Sequence, residues 1–210
     1  MSPGYARYDN CAPKNMDEIE RKTVAWYVLR VTYQREMAAA KRLEEMGIRH
    51  FVPTCRVKIR NEKGVAIGWK TDPLIHNYIF VFDTYENILL VKQGKLDYLR
   101  FVMAKNPSSG ENEPQSVPDK QMDDFIKVVS TMGSKPVDPD IDLRKGDRVR
   151  ILTGPFEGVE GVYIRMSKRH EKRVVVKIDG VAAYSTPTLN ASDVEKIEVI
   201  KEEKHKEYHI

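Results

Sequence analysis

Hydrophobic positions along the chain follow two periods, one near 3.6 and one of 2, and their alternation lays out the elements. Residues 24–31 read VAWYVLRV, a β-branched and aromatic run that predicts a strand. Over 34–46, Met37, Ala40 and Leu43 fall on one side, while Lys41, Arg42, Glu44 and Glu45 fall on the other. This predicts an amphipathic helix closed by Gly47. Over 51–60, Val57 and Ile59 alternate with Arg56, Lys58 and Arg60, the pattern of a strand with a solvated basic face. Asn61-Glu62-Lys63-Gly64 makes a turn, and Val65, Ile67 and Trp69 alternate on the return, completing a hairpin. Residues 77–82, NYIFVF, are apolar almost throughout, which predicts a central strand buried on both faces. A short helix over 85–92 stopping at Gly94 and a strand over 98–103 follow. Residues 106–115 read as a loop, after which Asp119 caps a helix with Met122, Phe125, Ile126 and Val129 at helical spacing, ended by Gly133.

The second half changes character. Residues 134–142, SKPVDPDID, hold two prolines and three acids and read as an extended linker. Beyond it, strands are predicted near 148–152, 159–165, 173–178, 181–186 and 195–200, with a turn at Asp179-Gly180. The stretch 146–162, GDRVRILTGPFEGVEGV, is the most informative in the chain. Gly154, Gly158 and Gly161 are expected to supply backbone angles that a side chain forbids. Pro155 fixes its own φ in the turn, and Phe156 is placed to cap a small core. The fold class is α+β: an N-terminal α/β sandwich with a mostly antiparallel sheet, then a small SH3-like β-barrel. The expected division is a polar leader at 1–22, a first domain at 23–131, a linker at 132–142, the barrel at 143–200 and a charged tail at 201–210.

Composition narrows the function classes. A chain of 210 residues with 41% hydrophobic and 31% charged content is globular and long enough for two cores. A net charge of +4 permits nucleic-acid contact without requiring it. No apolar run reaches membrane-span length, and the first residues lack the apolar segment of a secretory signal, so a cytoplasmic location is expected. Cys11 and Cys55 have no close spacing and read as free thiols. Cys55, His50 and His76 form the one nucleophile-and-base set to consider, but a regular strand points His50 and Cys55 to opposite faces, and no orienting partner is evident. His205 and His209 stand four apart in the charged tail, where a solvated tail outweighs a metal site. No glycine loop with a phosphate-binding lysine is present, so nucleotide hydrolysis is not expected. The chain is read as non-enzymatic, with no cofactor and no metal.

The 146–162 pattern resembles the KOW motif, the opening strand-loop-strand of a small barrel found in gene-expression proteins. Trp26-Tyr27-Val28-Leu29, the run Asp72-Pro73-Leu74-Ile75-His76-Asn77-Tyr78-Ile79-Phe80-Val81 and Val117-Pro118-Asp119-Lys120 add to it. Together they resemble the NusG family of transcription elongation factors, an NGN domain followed by KOW, over about 23–200. One departure stands out: the family usually shows Phe-Pro-Gly-Tyr where this chain has Ile75-His76-Asn77-Tyr78. In that respect the chain is similar to the specialised paralogues, RfaH and the UpxY-type antiterminators of polysaccharide operons.

The resemblance implies a non-enzymatic antitermination factor whose NGN domain docks on the clamp helices of the largest RNA polymerase subunit. It promotes processive transcription of a dedicated operon for surface or capsular polysaccharide. The implied docking residues are Ile75, Tyr78, Phe80, Phe101, Val102, Met122 and Phe125, expected on one sheet-helix edge. Contact with non-template DNA in the transcription bubble is implied for Tyr33, Arg35, Lys92 and Lys95, since single-stranded DNA needs a positive track and stacking groups. The basic hairpin is a further candidate for upstream DNA or polymerase. In the barrel, the loop with Lys168, Arg169, Lys172 and Arg173 can meet RNA phosphates, a nascent leader among them, or an acidic protein surface. The implied KOW partner is a ribosomal protein or a termination factor. The alternative reading is an RNA-binding or ribosome-associated KOW protein with an unrelated α/β domain.

Overall fold

The computed structural model describes residues 22–106, 109–138, 143, 146–165 and 171–197. The chain divides into two compact units, Met1–Met122 and Asp123–Ile210. Residues 1–21 of the leader, the tail, Lys168, Arg169, His205 and His209 lie outside the described residues.

The first unit is built on β1 (Val24–Val31), with β5 (Tyr78–Thr84) on one side and β6 (Leu99–Phe101) and β9 (Ser116–Val117) on the other. The edge strand β2 (Arg49–Phe51) extends the sheet beyond β5. Every pairing is antiparallel: Leu29 stands opposite Ile79 and Phe101, and Val28 opposite Phe80. One face carries Tyr27, Leu29, Val31, Ile79 and Val81, all buried in one core cluster. Helix α1 (Glu36–Glu45) adds Ala39 and Leu43 to that cluster, and α2 (Tyr85–Gly94) adds Tyr85 and Ile88. Trp26, Val28 and Phe80 point to the opposite face and are equally buried, which is why β1 and β5 read as continuous apolar runs rather than alternating ones.

Three local details differ from the pattern. The single strand expected over 51–60 is split into β2 and β3 (Thr54–Arg60), because Pro53 has no N–H to continue a ladder. Strand β3 pairs instead with β4 (Ala66–Pro73) as a separate two-stranded ribbon, with a register shift at Ile59/Arg60. The stretch 106–115, read as loop, contributes β8 (Asn112–Pro114), which pairs with β7 (Met103–Lys105). Its three residues are too short for any period to show. Helix α2 opens on Thr84, whose Oγ1 accepts from the Asn87 N–H at 3.2 Å, a standard cap.

The division between the units falls within α3 (Asp119–Ser130). In the second unit, six antiparallel strands run in the order β10-β14-β13-β12-β11-β15. They are β10 (Lys135–Val137), β11 (Asp147–Ile151), β12 (Glu160–Arg165), β13 (Lys172–Ile178), β14 (Ala182–Ser185) and β15 (Val194–Lys196). The arrangement is consistent with an SH3-like KOW domain. Its core holds Val149, Ile151, Phe156, Val159, Val174, Val176 and Ile178, with Phe156 4% exposed as the expected cap. Strand β10 arises inside the segment read as linker. It is extended, as its prolines suggest, but hydrogen-bonded to β14. The C-terminal part of α3 is tied to the same strands: Phe125 meets the Tyr184 ring edge-on at 6.0 Å, and Asp124 Oδ2 accepts from the Glu160 N–H at 3.1 Å.

Gly154 and Gly158 both have φ of 81°, as expected of glycines in the bend. Gly161 corrects the expectation, since its backbone is ordinary. A Cβ there would stand 2.6 Å from the Val175 carbonyl oxygen and 2.7 Å from Val174 Cγ1, so close strand approach excludes a side chain.

Candidate nucleic-acid and partner interface

The chain between β1 and α1 is bent sharply. Tyr33 and Gln34 have φ of 60° and 52°, in the left-handed region that costs non-glycine residues energy. The bend projects Tyr33 into solvent, 86% exposed, and brings Arg35 back over two rings. The guanidinium carbon of Arg35 stands 3.9 Å from the Tyr98 ring centre and 5.5 Å from that of Tyr33. Its Nε donates to the Thr32 carbonyl at 3.3 Å, and Thr32 Oγ1 donates to the Tyr98 carbonyl at 3.4 Å. A planar cation held between two tyrosines offers a flat, positive, wet surface. Tyr98 escaped the sequence reading, because nothing in a strand-start tyrosine tells of an arginine 63 residues upstream.

Glu36 opens α1 and is fully buried, with Oε1 accepting from the backbone N–H of Asn77 and Oε2 without a hydrogen-bond partner. Asn77 has φ of 67°, so the residue standing where the family pattern has glycine adopts a glycine-type conformation. Asparagine is among the few side chains that tolerate it. The Asn77 carbonyl in turn accepts from the Val31 N–H at 2.8 Å, which fixes the entry to β5.

The structure separates the apolar set expected on one edge. Tyr78 and Phe80 share a face of β5, and Phe80 lies 6.3 Å from the Phe51 ring. Phe101 lies on the other face: it stacks on Tyr85 at 5.0 Å and meets Tyr27 edge-on at 5.8 Å. The single-edge arrangement is therefore corrected, because the Leu29–Phe101 register pairs Phe101 with the odd-numbered side of β1. Phe80, Met122 and Phe125 are each 0% exposed, and Ile75 is 9% exposed. Tyr78, Phe101 and Val102 are partly exposed.

Of the expected cationic track, Lys92 sits over the Phe101 ring at 4.3 Å, and Lys95 is exposed beyond the end of α2. In the second unit, Arg173 is held by Glu171 at 2.8 Å and donates to the Thr186 carbonyl, while Lys172 lies over the Tyr163 ring at 5.2 Å. Tyr163 donates to the Leu189 carbonyl at 3.0 Å, and burial, then the nearby Asp193 charge, pushes its phenol above the ordinary value. His50 Nδ1 lies 2.9 Å from the Ile48 carbonyl, and His76 is exposed. No helix among the described residues is long and apolar enough to cross a membrane.

Residues 24–126 match the family model described as NusG, transcription termination factor nusG. A structure of Thermotoga maritima NusG, solved in the context of its domain interaction, is 23% identical with a TM-score of 0.39, the alignment covering 84% of this chain and 98% of that one. Over residues 24–126, just under half of its length, the chain is similar to the NusG family.

Proposed function

We propose that the chain is a non-enzymatic, cytoplasmic transcription factor that binds RNA polymerase through its first unit and promotes processive transcription of a dedicated operon. The family match over 24–126 supports the coarser statement, a transcription elongation or termination factor. The observation that carries the finer one is the Tyr33–Arg35–Tyr98 surface, a stacking ring and a cation where the family reading expects non-template DNA. Arg35 supplies charge to phosphates, and the exposed Tyr33 supplies a ring face for a base. Asn77 at the glycine position is the residue that likens the chain to the RfaH and UpxY-type paralogues, and it supports a dedicated rather than a general role. Docking on the clamp helices falls to the partly exposed Tyr78, because Ile75 and Phe80 are both buried.

The test is capture of purified core RNA polymerase by the full chain, beside Tyr78→Ala and a Tyr33→Ala/Arg35→Ala pair. Capture by the native chain with loss in Tyr78→Ala supports docking at β5. Retained capture with loss of crosslinking to a non-template oligonucleotide is expected of the Tyr33/Arg35 pair. No capture by the folded chain overturns the reading.

A further inference from the structure

We propose that the β3–β4 hairpin is a binding site for single-stranded RNA, with Trp69 as the base-stacking platform and Arg56 and Lys58 as its phosphate contacts. The antiparallel register places Lys58 opposite Trp69 and Arg56 opposite Thr71, and directly paired residues share a face. The Arg56 guanidinium lies 5.4 Å from the Trp69 ring centre and the Lys58 ammonium 5.3 Å from it. Trp69 is 54% exposed, an unusual expense of apolar surface on a two-stranded ribbon. The other face of the ribbon differs: Lys70 there is paired with Asp72 at 3.0 Å, and Cys55 and Val57 are partly buried. Among the described residues, neither Arg56 nor Lys58 is in an ion pair. Over 54–73 the chain holds five cations and two carboxylates, so the ribbon attracts a polyanion.

Edge protection by charge accounts for arginine and lysine on a short ribbon but not for an indole among them. A duplex hides its base faces, whereas a single strand offers them to an aromatic ring with phosphates on either side. The exposed hydroxyls of Thr71 and Thr54 lie on the Trp69 face, where a ribose 2′-OH can exchange hydrogen bonds with them, and this favours RNA over DNA. The residues of this site are other than Tyr33 and Arg35.

The chain has two tryptophans, and Trp26 is 1% exposed, so quenching by a stacked base reports on Trp69. The experiment titrates the full chain with oligouridine of about twelve nucleotides, with oligodeoxyuridine of equal length and with duplex RNA. Oligouridine is expected to quench the emission and to bind more tightly than either comparison. Trp69→Ala should weaken binding of labelled oligouridine about tenfold. Arg56→Ala, an exposed change that spares the ring, should lower the slope of log affinity against log salt by about 0.7. No quenching, unchanged affinity in Trp69→Ala with native circular dichroism, or equal binding of oligodeoxyuridine or duplex overturns the proposal.

Discussion

Glu36 and Asn77, 41 residues apart, are joined by a part-buried hydrogen bond from a backbone N–H to a carboxylate oxygen. The bond couples the first residue of α1 to the turn that feeds β5, so the Tyr33 bend and the Tyr78 strand are set by one contact. Glu36→Ala leaves the part-buried Asn77 N–H without this acceptor and should cost about 1–3 kcal/mol. Glu36→Gln keeps an acceptor of the same shape and should cost less. Urea unfolding of the two variants checks the order, and equal midpoints would show that the bond carries no stability.

Asn77→Gly should leave stability within about 1 kcal/mol of the native chain, since glycine adopts the same φ freely at some cost in unfolded-state entropy. Asn77→Val should lose about 1–2 kcal/mol, because a β-branched residue resists the left-handed region. Thermal unfolding of both separates backbone strain from side-chain loss. Asn77 thus holds a left-handed backbone that glycine would adopt without strain.

Phe80→Ala should be a core lesion of about 3–5 kcal/mol. Tyr78→Ala, on a partly exposed neighbour of the same face, should cost well under that. Denaturation midpoints compared with polymerase capture then separate folding from docking. A Phe80 variant that folds normally yet fails to dock would place that ring back at the interface.

Much of the fold was legible. The strand at 24–31, the hairpin turn, the doubly buried β5 and the barrel strands other than β10 follow from period and turn chemistry, because each is a local property of the sequence. The candidate site was legible only in part. Arg35 and Tyr33 are adjacent enough to suspect, but Tyr98 reaches them through the β1–β6 pairing, and Glu36 looks like any helix-opening acid until Asn77 arrives from 41 residues away. Phe101 was assigned to the wrong face because the relative register of two strands is not written in either one.

Gly161→Ala should destabilise the second unit by about 1–3 kcal/mol, because the added carbon meets unyielding backbone as well as the Val174 side chain. Gly158→Ala faces open space and should cost about 1–2 kcal/mol, from backbone strain alone. Unfolding followed by the near-ultraviolet signal of Tyr163 and Tyr184 would rank them. A larger loss at Gly158 would mean that the bend, not the strand contact, limits stability.

Strand β10 has a consequence for how the molecule can be cut. Lys135, Pro136 and Val137 occupy the outer rim of β14, opposite Ser185, Tyr184 and Ala183. A fragment begun at residue 143, where the sequence pattern places the start of the barrel, would leave that rim as a bare row of amide and carbonyl groups. Such a rim is a template on which a second copy can add its own strand. The soluble fragment is therefore one that begins ahead of residue 135, and Lys135–Val137 then act as a seal.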